Sequence, residues 1–172
     1  MGKCMIVYAS CTGVTRECAE ALAEKLGECE LFDLDYGIPY VVGYDTVILG
    51  SYVHMGNVAR NVKRFLVQNL RELSKVRVGI YICNIAIEQA DEILQANFPQ
   101  GLLEHAVCIT TLGGELRFDE LRGLDRMVAK KMERTMAQNG VEPPHVLTHI
   151  LDEFAKRMKA GEKTEQKQEQ TE

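Results

Sequence analysis

The sequence predicts an α/β fold: a doubly wound sheet of about five parallel strands with helices on both faces. Three observations predict it. Strand-like and helix-like segments alternate along the chain, the pattern of parallel strands joined by helical crossovers. Strand-like runs such as Thr46-Val47-Ile48-Leu49-Gly50 are short and largely apolar, as strands buried on both faces are. Finally, 172 residues with 46% hydrophobic content suit one compact domain.

The first strand is Cys4-Met5-Ile6-Val7-Tyr8-Ala9. Arg16 to Leu26 then carries the helical stripe Cys18, Ala19, Leu22, Ala23 and Leu26, and Gly27 stops it. Glu30 to Leu34 reads as a short strand, and Thr46 to Gly50 as a buried one. Val58 to Leu70 is helical, with Val58, Val62, Phe65, Leu66 and Leu70 inward. Val78 to Cys83 is the next strand. Ile87 to Phe98 is a helix broken by Pro99 and Gly101, and Ala106 to Leu112 the last strand. Leu121 to Met136 forms a long helix, and His145 to Met158 a closing one after Pro143-Pro144. The domain thus spans residues 1–158. Residues 159–172, rich in Glu, Gln and Lys, read as a disordered polar tail.

The net charge of -5 is spread along the chain, which argues against a nucleic-acid partner held by phosphate neutralisation. No apolar run is long enough for a transmembrane helix. The N-terminal segment runs directly into a strand, so no secretory leader is expected. Its Met-Gly start has Ile6 where a myristoylation motif wants Ser or Thr. Six cysteines at 4, 11, 18, 29, 83 and 108 include no Cys-x-x-Cys pair, so no metal site is expected. Reduced thiols in a cytoplasmic setting are the expectation.

In an open α/β sheet ligands sit at the carboxyl ends of the strands, which directs attention to the loops after Ala9, Gly50, Cys83 and Leu112. The first holds Ser10, Cys11, Thr12, Gly13, Val14 and Thr15. A strand-to-helix turn presents backbone N–H groups and a helix N-terminus to an anion. Three hydroxyls add donors, and Gly13 lets the backbone close tightly. Cys11 and Arg16 raise the alternative of a cysteine phosphatase. Phosphatase families on a similar α/β sheet place five residues between cysteine and arginine, whereas only Thr12 to Thr15 intervene here, and their Asp-Pro general acid is absent. Neither a Walker loop nor a dinucleotide fingerprint occurs.

The run Ser10-Cys11-Thr12-Gly13-Val14-Thr15 resembles the Ser/Thr-x-Thr-Gly-x-Thr phosphate loop of flavodoxins. Tyr44-Asp45 before Val47-Ile48-Leu49-Gly50 resembles the start of that family's third strand. Ser51, Tyr52, Val53, His54, Met55 and Gly56 fall where flavodoxins wrap the flavin ring. Within the superfamily the chain is most similar to the branch of menaquinone-dependent protoporphyrinogen dehydrogenases. Gly50 to Gly56 resembles its Gly-x-x-Ile-x-Tyr-Gly segment, and Asn84 follows the fourth strand as it does there. Gly114-Glu115-Leu116-Arg117-Phe118 with Arg122, Asp125 and Arg126 resembles its Gly-x-Leu-Arg-Tyr run and continuation. Two departures stand out. Met55 replaces the branch's aromatic, and the stretch between Asn84 and His105 is short for its extra basic loop.

The resemblance implies a flavodoxin-like fold and non-covalent FMN. It implies Ser10 to Thr15, Ser51 to Gly56, Asn84 and Gly114 as cofactor-binding residues, and a carbonyl of the Gly56-Asn57 peptide that turns toward the flavin. The expected function is electron transfer through FMN to a redox partner protein or small redox substrate. The alternative is an FMN-dependent protoporphyrinogen or quinone oxidoreductase; the short loop favours the carrier. A regulatory module without redox use is a third class. Tyr52 and Met55 suit a flat ring, or simply cover the sheet edge. His54 suits a proton relay, or faces solvent. Cys11 reads as a spectator, and His145 with His149 as surface residues. Arg122, Arg126, Lys130 and Arg134 make a basic stripe for an acidic partner or a peripheral membrane contact, or a plain solvated face.

Overall fold

The computed structural model describes residues 2–169, with side chains as far as Ala160. The elements in chain order are β1 (Cys4–Ala9), α1 (Val14–Leu26), β2 (Cys29–Asp33), β3 (Thr46–His54) and β4 (Asn57–Val58), then α2 (Arg60–Leu73) and β5 (Arg77–Cys83). They continue with α3 (Ala90–Asn97), α4 (Gln100–His105), β6 (Cys108–Thr111), α5 (Gly123–Gln138) and α6 (Thr148–Glu169). The sheet runs β2-β1-β3-β5-β6, and β4 pairs with β3 alone. All pairings along the main order are parallel. The chain winds outward from β1 to β2, then crosses back to β3. Loops leaving β1 and β3 therefore diverge and open a crevice at their carboxyl ends.

Strand alternation divides the core into two layers. Met5, Val7, Val47, Leu49 and Ile80 face α2 and α3, where Phe65, Leu66, Ile93 and Leu94 cover them. Ile6, Tyr8, Ile48 and Tyr81 face α1 and α6, beneath Leu22, Leu26, Phe154 and Met158. Two glycines permit close approach. A Cβ on Gly79 would come within 2.8 Å of Phe154 and Met158, so α6 rests on bare backbone there, and one on Gly50 would overlap the Tyr81 ring.

The fold class stands as expected; β3 runs to His54, past the Gly50 where its end was expected, and three further local differences occur. The helix read over Ile87 to Phe98 is a 3-10 turn at Ile87–Gln89 followed by α3. Pro99 restarts the chain as α4, because its fixed φ and missing N–H are harmless at a helix start. Val58 belongs to β4 rather than to α2. The tail expected over 159–172 has helical backbone as far as Glu169; its side chains beyond Ala160, and residues 170–172, lie outside the described residues. Among the described residues no helix is long and apolar enough to cross a membrane, and no cluster of potential metal ligands occurs.

Candidate functional site

A cavity of about 320 Å³ opens at the carboxyl ends of β1, β3 and β5, within the range of small-molecule sites. Its floor and rim come from four loops and one helix. Cys11, Thr12, Val14 and Thr15 line it from the β1–α1 turn, and Tyr52, Val53, His54 and Met55 from the β3–β4 hairpin. Cys83, Asn84 and Ile85 line it from the end of β5, and Gly114, Glu115 and Leu116 from the segment after β6.

The β1–α1 turn owes its shape to Gly13, which caps α1 at φ 86° with no side-chain hydrogen bond. The first-turn N–H groups of a helix have no intrahelical acceptor; here Ser10 takes the one from Arg16, and those of Val14 and Thr15 face the loop. A Cβ at Gly13 would sit 3.3 Å from Arg117 Nη1 and 3.5 Å from Arg16 Nη2. The space beside Gly13 is thus bordered by two guanidinium groups and by Glu17 Oε1, 3.8 Å from the same position. Ser10 Oγ accepts from the Arg16 N–H at 3.4 Å, which fixes the turn. Tyr81, fully buried, donates its phenolic hydrogen to the Thr15 carbonyl at 3.0 Å and ties β5 to the start of α1.

The β3–β4 hairpin pairs His54 with Asn57, leaving Met55 and Gly56 as a two-residue turn at φ 49° and 74°. Both positive values match the turn type favoured in tight hairpins. Met55 is the one non-glycine at positive φ among the described residues and is 87% exposed. Asn97 supports the turn from α3: its Nδ2 donates to the Gly56 carbonyl at 2.9 Å, and its Oδ1 accepts from the Val58 N–H at 3.2 Å. The carbonyl expected to turn toward a flavin is therefore held by Asn97. Ser51 is buried, donates to the Tyr52 carbonyl and accepts from the Ala59 N–H, so it braces the hairpin rather than lining the cavity. Asn84 is closed on itself through Ala86, accepting its N–H and donating to its carbonyl.

Sequence reasoning missed the wall. Leu121, Asp125, Val128, Ala129 and Met132 close one side of the cavity, Leu121 from just before α5 and the others from α5 itself. Their spacing at 121, 125, 128 and 132 is a helical stripe, but the charges between them drew attention to the opposite face. That face carries Arg126, Lys130 and Arg134, all exposed. His54 Nε2 lies 3.9 Å from Asp125 Oδ1, so the hairpin and α5 meet across the cavity mouth. His145 precedes α6 and His149 lies inside it, away from the cavity lining.

Burial pushes the Cys11 thiol above its ordinary value, with the charges of Asp125 and Asp35 adding to it. A raised thiol disfavours the nucleophilic thiolate, while the Cys11 side chain itself stays exposed. Burial likewise raises the Tyr52 phenol, helped by Cys11 and Asp35. Hydrogen bonding to Arg117 holds the Glu17 carboxyl below its usual range.

A family model described as the flavodoxin domain matches residues 5–140. Among solved structures, a flavodoxin from Streptococcus pneumoniae TIGR4 is 14% identical, with a TM-score of 0.47 over 92% of this chain and 98% of that one. A flavoprotein in complex with FMN from Lactobacillus acidophilus NCFM is 16% identical, with a TM-score of 0.45 over 64% and 93%. Oxidised Flavodoxin 1 from Bacillus cereus is 18% identical, with a TM-score of 0.43 over 79% and 97%. No curated protein matches. These structural likenesses are distant, and the assignment rests on the domain match, which takes in β1 through α5 and every loop that lines the cavity: the chain belongs to the flavodoxin domain family.

Proposed function

We propose that the protein binds FMN in this cavity and transfers electrons through it. One observation carries the reading: a helix start capped by a glycine at positive φ, with two guanidinium groups beside it, adjoins a largely apolar cavity. The residues fit the group. Ser10 to Thr15 would take the phosphate on backbone N–H groups and hydroxyls, as anion sites at helix starts do. Tyr52, Val53, His54, Met55, Gly56, Asn84 and Gly114 would surround the ring, with Ser51 bracing the hairpin behind them. Bound flavin supplies the one- or two-electron chemistry, and the protein sets its orientation and access. Two residues, Tyr52 and Met55, offer an aromatic face and a thioether to a flat π-system.

An electron carrier serving a redox partner protein in the cytoplasm is the preferred form of this reading. The α5 wall favours a second form, an oxidoreductase of the protoporphyrinogen dehydrogenase branch acting on a porphyrinogen or quinone. Leu121, Val128 and Met132 give the cavity an apolar side that a flat small substrate could share. The test is direct. The purified protein should be yellow, and heat should release a pigment that co-migrates with FMN and not FAD. Colourless protein that takes up no FMN on titration would overturn the reading. Turnover of a quinone by the reduced protein, with no reduction of carrier-type partner proteins, would select the enzyme.

A further inference from the structure

Arg117 belongs to the segment between β6 and α5, yet its guanidinium lies on the β1–α1 turn. Nη1 and Nη2 donate to the two carboxylate oxygens of Glu17 at 2.6 and 2.7 Å. Nε and Nη2 donate to Oε2 of Glu115 at 2.9 and 2.7 Å, and Nη1 reaches the Thr12 carbonyl at 3.4 Å. The same Nη1 is the nearest atom to the empty Cβ position of Gly13. One cation thus serves two carboxylates beside a loop suited to a dianion. Carboxylates at that distance repel a phosphate, whereas a guanidinium fork can hold a carboxylate and a phosphate oxygen together.

Resting on the FMN reading, we propose that Arg117 is a phosphate ligand that Glu17 competes for. Docking of the flavin phosphomonoester turns Nη1 from Glu17 to a phosphate oxygen, while Glu115 keeps Nε. Of the two charge-assisted hydrogen bonds to Glu17, the one from Nη1 is exchanged for one to the phosphate, and the one from Nη2 remains. Because Arg117 sits in the segment that carries Gly114, Glu115 and Leu116 into the cavity lining, phosphate binding also seats that segment over the site. A purely structural ion pair has a different signature. It would make Glu17 and Arg117 equally necessary; competition gives them opposite effects.

The experiment titrates the full chain, freed of flavin, with FMN and with riboflavin, which lacks the phosphate, following flavin fluorescence. Arg117→Met should weaken FMN binding at least about 10-fold, the value of one charge-assisted bond, and leave riboflavin binding unchanged. Glu17→Gln should tighten FMN and leave riboflavin unchanged. If Arg117→Met does not fold, Arg117→Lys carries the test. It keeps the charge and loses the fork, so a smaller FMN-specific loss is expected, and no such loss overturns the proposal. Equal weakening of FMN by Glu17→Gln and Arg117→Met overturns it, as does an equal change for both flavins. Failure of the unaltered protein to bind FMN removes the FMN reading and this proposal together, whereas tight binding indifferent to both substitutions removes the proposal alone.

Discussion

Gly50 is the position where sheet and site depend on the same few atoms. A Cβ there would overlap the Cζ and Oη atoms of Tyr81 on the neighbouring strand. Both residues lie in the parallel β3–β5 ladder, paired as Gly50 with Tyr81, so neither backbone can retreat. Gly50→Ala must therefore displace a fully buried ring. Overpacking of this kind costs about 1–3 kcal/mol. Moving the ring also breaks the bond from its hydroxyl to the Thr15 carbonyl, worth about 1 kcal/mol. Together the loss is roughly 2–4 kcal/mol. Truncating Tyr81 to Leu should relieve the clash, so in that background Gly50→Ala should be neutral or slightly stabilising, through the lower entropy of the unfolded chain. Urea unfolding of the four proteins gives the coupling directly, expected at about 2 kcal/mol or more. A Gly50→Ala cost that is the same in both backgrounds would refute the account.

Thr12→Val removes a hydroxyl from the phosphate cradle and should weaken FMN by roughly 1.5–3 kcal/mol if that hydroxyl bonds the dianion; unchanged affinity in a fluorescence titration would remove Thr12 from the site. Cys11→Ser should leave FMN binding nearly intact, and Cys11 should alkylate slowly at neutral pH because its thiol is pushed up; hydrolysis of an aryl phosphate that is lost on Cys11→Ser would restore the phosphatase reading. At Gly56, φ is 74° and a Cβ would meet nothing within 4 Å, so Gly56→Ala costs only backbone strain. A loss of about 1 kcal/mol is expected in urea unfolding, with Gly56→Asn milder because Asn tolerates the left-handed region. The Glu17 carboxyl has a folded pKa below its ordinary 4.5. Its contribution to stability is full above that value and fades as pH falls through the lower, folded one. Glu17→Gln should flatten the stability profile there, and an unchanged acid limb would deny the Arg117 pairing a role in stability.

The sheet was legible because its strands are short apolar runs and its helices carry a clear 3.6-residue stripe. The β1–α1 turn was legible by residue type, since Gly13 and the flanking hydroxyls announce a tight, donor-rich loop. The hairpin at Met55 was not. Its turn wants Asn-Gly or Asp-Gly, and a methionine at φ 49° gives no such signal; the support comes from Asn97, 41 residues away from Gly56. The α5 wall was hidden by its own charges, because Arg126, Lys130 and Arg134 mark the outer face more loudly than Leu121, Val128 and Met132 mark the inner one. The Arg117 cluster was equally out of reach, since it joins side chains 100 positions apart.

α5 buries a single side chain, Ala129, along its 16 residues, whereas β1 is buried at every one of its six. A segment with so little buried surface opens at a small fraction of the free energy needed to unfold the domain. Its amides should exchange with deuterium early, long before those of the sheet. On the proposed FMN reading, the cofactor would enter and leave past this helix, and the sheet need not breathe. On that reading, anything that steadies α5 would slow the loss of the cofactor without touching the sheet.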